Sequence, residues 1–230
     1  MENNFNIIKV GVTNCYILNS NSCNVLIDTG YKGKTQIILD FLENNKILPK
    51  SIGLIVLTHA HYDHIGNALE IKKITGAKIL LHKDDMPLLN SGITDSQSTN
   101  PLNIWGKILL SKVASIDTRF NHLKPDIIID SDFDLSNYGI NGRIIHTPGH
   151  SKGSISVILD SGEAFIGDLA MNGLPLRVGA GEPIFGENIK EIYQSWIKLV
   201  ENKANTLYPG HGAPFNIKVI KNILSKKGYL

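Results

Sequence analysis

The chain has 230 residues, a formal net charge of +2, and 42% hydrophobic against 19% charged residues. This is the composition of a globular protein that can bury a substantial core, and the charge supports no general polyanion-binding role. No stretch approaches the roughly 18 apolar residues of a membrane span.

Residues 5–10, 14–18 and 23–28 read as strands, and the polar stretch Asn19 to Ser22 predicts a hairpin between the second and third. Cys15 and Cys23 fall on these neighbouring strands and are expected to be small, reduced core residues of a cytosolic protein. The start, Met1-Glu2-Asn3-Asn4, lacks the positive and apolar segments of a signal peptide, so a cytoplasmic location is the expectation. Helical spacing runs from Thr35 to Lys46, with Ile37, Ile38, Phe41 and Leu42 on one face. The apolar run 53–57 reads as a buried strand, 66–75 as a helix, and 77–81 as another strand. Such strand–helix–strand alternation argues for an α/β architecture.

Residues 86–125 behave differently. Met86 to Pro101 is rich in Ser, Asn, Thr and Gly, and helical spacing returns only from Leu102 to Ile116. A segment of this kind between core elements predicts a lid or insertion, in which Trp105 could line a substrate pocket. Strands follow at 127–129, 143–146, 155–159 and 163–166. A helix at 188–201 with Asn188 as its cap, a strand at 205–208 and a helix at 217–225 complete the pattern. Two sets of strands with helices in both halves suit a two-layered sheet core covered by helices, within one domain spanning 1–230.

The chemistry concentrates in Thr58-His59-Ala60-His61-Tyr62-Asp63-His64-Ile65-Gly66, between a strand and a helix. His59 and His61, two apart in extended chain, project to the same side, and His64 can point back toward them. Three imidazoles and a carboxylate within six positions match the donor set of a divalent metal of zinc type. Three later residues of ligand type also follow strands beside glycine: His150 in HTPGHS, Asp168 in IGD and His211 in YPGHG.

As an ordered set, Asp28-Thr29-Gly30, THAHYDHIG at 58–66, HTPGHS at 146–151, GD at 167–168 and GHG at 210–212 resemble the motifs of the metallo-β-lactamase-fold hydrolases. The branch is the one that includes glyoxalase II-like and lactonase-like enzymes, and the resemblance covers nearly the whole chain. It implies a four-layered αββα sandwich with a metal site at one edge of two mixed sheets. It also implies one metal held by His59, His61 and His150, and a second by Asp63, His64 and His211, with Asp168 bridging. Asp28 would accept a hydrogen bond from a ligand histidine and so fix its tautomer. His146 then reads as a structural or ligand-supporting residue and His82 as a strand-end surface residue.

Seven ligands exceed what one four-coordinate zinc needs and suit two divalent metals, zinc first, with iron or manganese also compatible. The implied reaction is hydrolysis of an ester, lactone or thioester of a small molecule by a hydroxide shared between the metals, with Asp63 and Asp168 in catalytic roles. Glyoxalase II relatives carry a C-terminal helical domain for glutathione, whereas this sequence ends soon after His211. Lactonase relatives have a Tyr after the bridging Asp; here no Tyr follows Asp168, and Tyr31, Tyr62 or Tyr208 could replace it. Arg177, on the loop after Asp168, is a candidate for binding a substrate anion. A mononuclear iron persulfide dioxygenase on the same scaffold is the competing reading. No nucleic-acid or membrane partner is expected.

Overall fold

The computed structural model describes residues 5–94, 100–113, 116–173 and 178–230, with side chains left aside at 110–113. The first half runs β1 (Phe5–Val10), β2 (Thr13–Leu18), β3 (Asn24–Ile27), α1 (Thr35–Asn44), β4 (Ile52–Val56), α2 (Tyr62–Ile65), α3 (Ala68–Thr75) and β5 (Lys78–His82). Helices α4 (Met86–Ser91) and α5 (Ile104–Val113) then lead to β6 (Ile127–Ile129). The second half contains β7 (Phe133–Asp134), β8 (Gly142–His146), β9 (Ile155–Leu159), β10 (Glu163–Gly167), β11 (Met171–Asn172) and β12 (Ala180–Gly181). It closes with α6 (Ile189–Glu201), β13 (Thr206–Pro209), β14 (Phe215–Asn216) and α7 (Lys218–Lys226).

Twelve of the strands form two mixed six-stranded sheets, ordered β1-β2-β3-β4-β5-β6 and β14-β13-β10-β9-β8-β7, and β11 pairs with β12 in a small sheet of its own. Their inner faces pack together: Tyr16, Val25, Leu54 and Val56 of the first meet Ile144, Val157 and Phe165 of the second. The outer face of the first sheet, with Cys15, Ile17, Ile55 and Leu57, packs against Ile38 and Leu42 of α1 and Ile71 of α3. The outer face of the second, with Ile145, Ile158 and Ile166, packs against Ile192, Trp196 and Leu199 of α6 and Ile220 and Leu224 of α7. The result is the expected αββα sandwich. The central strands β3, β4 and β5 are buried on both faces over most of their length, so they carry the apolar runs 25–27, 54–56 and 79–81 rather than an alternating pattern.

The predicted hairpin is present as antiparallel β2 and β3, and both cysteines are free. The helix expected over 66–75 is present as α3, which starts only at Ala68, and a separate short helix, α2, precedes it inside the histidine motif. Between them Asn67 Nδ2 donates to Thr29 O at 2.6 Å and also to Tyr31 O, which ties the chain down where one helix would otherwise continue. Strands β7, β11, β12 and β14 have two residues each, too few for any periodicity to reveal. Helix α4 lies in the polar stretch that showed no helical spacing.

Among the described residues no helix is long and apolar enough to cross a membrane. Helix α6 begins as its sequence indicates. Asn188 Oδ1 accepts the Lys190 and Glu191 N–H groups at 3.0 and 3.4 Å, and its Nδ2 donates to Glu191 Oε1 at 3.0 Å. Asn188→Ala is expected to cost about 1 kcal/mol, read as a lower urea midpoint at unchanged slope.

Candidate metal centre

Strands β3 and β4 are parallel, as are β10 and β13, and β8 runs in the same sense as β10 because both are antiparallel to β9. Asp28, the 58–64 turn, His150, Asp168 and His211 therefore all leave carboxyl ends of strands, the position at which open α/β sheets bind ligands. His61 keeps extended backbone (φ −83°, ψ 149°) before α2, so His59 and His61 stay on one side while Asp63 and His64 turn in on the helix. A register shift at Phe165/Gly167, where β10 pairs with β13, immediately precedes Asp168.

The residues named in the sequence meet in space. The ligand atoms of His59, His61 and His150 lie within 4.8 Å of one another, and so do those of Asp63, His64 and His211. Asp168 lies between the groups. Its Oδ1 is 3.4 Å from His64 Nε2, and its Oδ2 is 3.3 Å from His211 Nε2 and 3.7 Å from His150 Nε2. Asp63 Oδ2 is 3.2 Å from His211 Nε2.

Hydrogen bonds set the tautomers. His64 Nδ1 donates to Asp28 Oδ2 at 2.8 Å, His150 Nδ1 to Phe185 O at 3.0 Å, and His211 Nδ1 to Val12 O at 2.9 Å. The Thr58 hydroxyl donates to Asp28 Oδ2 at 2.8 Å and so is left to accept from His59 Nδ1 at 3.0 Å. In all four rings Nε2 is thereby turned to the centre. His61 Nδ1 lies 3.0 Å from the lone-pair nitrogen of His150. Asp28 thus orients His64 directly and His59 through Thr58. It does so from a left-handed backbone conformation (φ 58°), and its Oδ1 also accepts the Thr58 N–H at 2.8 Å.

The protein alone does not satisfy this centre. At the centre His59 Nε2, His64 Nε2 and Asp168 Oδ1 are buried without a hydrogen-bond partner. Each such atom costs about 1–3 kcal/mol unless something pairs with it. Orphaned imidazole and carboxylate atoms pointed at one another are the donor set of a divalent cation. Burial pushes His61 down to about 3, and His59 and His150 are also lowered, which favours the neutral form that a metal would need. Burial would raise Asp168 as well, but His211 and His64 outweigh it and hold the carboxyl well below its ordinary range.

Gly210 is required by this arrangement. A Cβ there would stand 2.4 Å from Asp168 Oδ1 and 2.6 Å from His64 Cε1. Gly210→Ala is expected to lower metal affinity by about tenfold or more, by displacing two ligands at once. A chelator competition that returned wild-type affinity would contradict this placement.

His82 is not a surface residue. It is 1% exposed, its ring stacks on His146 at 3.9 Å with 11° between planes, and burial lowers it to about 4. His82, Asp84 and His146 also bring ligand atoms within 4.8 Å of one another. However, the His82 Nδ1 lone pair accepts the Asp84 N–H at 3.2 Å, and His146 Nε2 donates to Lys152 O at 2.8 Å. The in-plane lone pairs of stacked rings lie in nearly parallel planes and do not meet on one ion.

A model of the metallo-beta-lactamase superfamily matches residues 8–211. The chain belongs to this superfamily. It is 32% identical over 203 residues to a Drosophila melanogaster protein named Beta-lactamase-like protein 2 homolog, covering 87% of this chain. The chain spans only 58% of that relative's length. It is 30% identical to a protein of Methanocaldococcus jannaschii named a probable metallo-hydrolase, with 82% of each covered. Among solved structures, a metallo-beta-lactamase family protein from Thermus thermophilus superposes with a TM-score of 0.72 at 18% identity, over 98% of this chain and 79% of that one.

In this metallo-beta-lactamase fold the centre opens into a cavity of about 150 Å³. His61, Asp63, His150, Asp168 and His211 form its floor, and Val12, Ile116, Met171, Ile184 and Phe185 its apolar walls, with Tyr31 and Tyr62 alongside. Burial, then Asp63, pushes the Tyr31 phenol up to about 12, and Tyr62 is raised by the same causes. Both phenols are neutral donors at the cavity. Tyr208 is not at the cavity: it lies between the sheets, stacked on Phe165 at 5.2 Å. Trp105 is 45% exposed on α5 and does not line the cavity, and Arg177 lies outside the described residues. The wall residues were missed in the sequence because isolated aliphatic side chains on separate segments carry no chemical signature.

Proposed function

We propose that the protein is a binuclear metal-dependent hydrolase of small esters, lactones or thioesters. The observation that carries this reading is Asp168, a buried carboxylate within 3.7 Å of imidazole nitrogens from both ligand groups. His59, His61 and His150 would hold one metal and Asp63, His64 and His211 the other, with Asp168 shared. Divalent metals held there supply Lewis acidity, which lowers the pKa of water and polarises a carbonyl. Asp63, at the cavity floor, takes the proton of the attacking water. The Tyr31 and Tyr62 hydroxyls, neutral at working pH, donate hydrogen bonds to the developing oxyanion or leaving group. Metal analysis of protein purified without added metal tests the core of the reading. About two zinc per chain is expected, and about one iron per chain with persulfide-dependent oxygen uptake would overturn it.

The apolar walls favour a substrate whose acyl or alkyl part is uncharged. Two residues on either side of α5 stand at the cavity: Thr94 and Ile116 line it, and Thr94 Oγ1 accepts the Tyr62 N–H at 2.9 Å. In a series of unbranched acyl esters, kcat/KM is expected to rise about fourfold per methylene, from ~0.8 kcal/mol per buried CH2, until the cavity is filled. A flat series, or a preference for phosphodiesters, would exclude this substrate class.

A further inference from the structure

Asp85 is a buried carboxylate that none of these steps uses. It closes the single helical turn Lys83–Asp85 after β5 and is 2% exposed. Its Oδ2 accepts the Ala60 N–H at 2.7 Å and the Ser151 hydroxyl at 2.9 Å, and its Oδ1 accepts the Gly153 N–H at 2.7 Å. Asp85 accepts all three bonds, as an ionised carboxylate does. Ala60 sits between His59 and His61, and Ser151 directly follows His150. One side chain therefore grips both segments that deliver the three-histidine group, one leaving each sheet. Position 153 is shaped to that grip, since a Cβ there would stand 2.5 Å from Asp85 N and 2.7 Å from Asp85 Cβ.

We propose that Asp85 is the positioning residue of the three-histidine site. By clamping the Ala60 peptide and the Ser151–Gly153 turn with its two oxygens, it sets the distance between the His59–His61 pair and His150. It touches no metal itself and acts through the ligands. Outer partners of this kind typically govern about 10–100-fold in metal affinity. The inference rests on the reading that His59, His61 and His150 hold a metal.

The test titrates the metal-free full chain with Co2+ against a competing chelator, in wild type and Asp85→Asn. His61→Ala and His211→Ala identify which equivalent belongs to which ligand group. Asn keeps the size of the side chain but sets an amide NH2 against one of the three donors. The expected result is a 10–100-fold weaker three-histidine equivalent with an altered ligand-field spectrum, while the equivalent that depends on His211 keeps its wild-type affinity. Ser151→Ala removes only the hydroxyl donor. It is expected to weaken the same equivalent several-fold, and it carries the test if Asp85→Asn does not fold. Equal weakening of both equivalents, or no weakening, overturns the role of Asp85. Wild-type protein that shows no His61-dependent equivalent overturns the metal reading and this inference with it, and that failure is visible before any Asp85 variant is made.

Discussion

Asp168→Ala is expected to abolish turnover and to strip the centre of metal. The carboxylate is 6% exposed and faces His64, His150 and His211 together. No hydrogen bond holds its Oδ1. Its removal takes away a carboxylate that stands within 3.7 Å of imidazole nitrogens of both ligand groups, so neither proposed metal would keep its full set of donors. Loss of a single group that stabilises transition-state charge costs on the order of a hundred- to a thousandfold in rate. Loss of the metals along with it places the expected effect at or beyond the upper end. The checks are kcat/KM on the best ester and metal content per chain, measured on the same preparation. An Asp168→Ala protein with full metal content and wild-type turnover would exclude the shared-carboxylate arrangement.

The largest effect on stability is expected from Trp196→Ala. Trp196 is fully buried on α6, within the layer between that helix and the second sheet. Its indole N–H donates to Leu169 O at 3.0 Å, the carbonyl of the residue directly after Asp168. Truncation creates a cavity worth about 3–5 kcal/mol and leaves a buried carbonyl without its donor. Trp196→Phe separates the two contributions, because it keeps most of the packing and loses the hydrogen bond, at about 1–3 kcal/mol. Urea denaturation measures both. A Trp196→Ala midpoint equal to wild type would mean that α6 does not anchor this face of the sandwich. Because the indole holds the strand exit that carries Asp168, both variants are also expected to bind metal less tightly in the folded state.

The amino-acid sequence by itself marked the candidate ligands. Imidazoles and carboxylates packed as His59, His61, Asp63 and His64 have few other uses at that density, and the strand-plus-glycine settings of His150, Asp168 and His211 marked the remainder. It also determined the main strands and helices, because a strand buried on both faces must be apolar throughout and α6 must carry an apolar stripe. Only the tertiary structure decided how those ligands are held. Asp28 reaches His64, Val12 O reaches His211 Nδ1, and Phe185 O reaches His150 Nδ1, each across a long stretch of chain. A backbone carbonyl is present at every residue, so no residue type announces which one will orient a histidine. The same holds for Asp85, one charge in the polar run Lys83-Asp84-Asp85 until β5 turns it under two ligand loops. Tyr31 and Tyr208 carry identical chemistry, yet Tyr31, on the loop after β3, stands beside the cavity and Tyr208, on β13, between the sheets. Side-chain type fixes what a residue can do, and the pairing and packing of the strands fix what it faces.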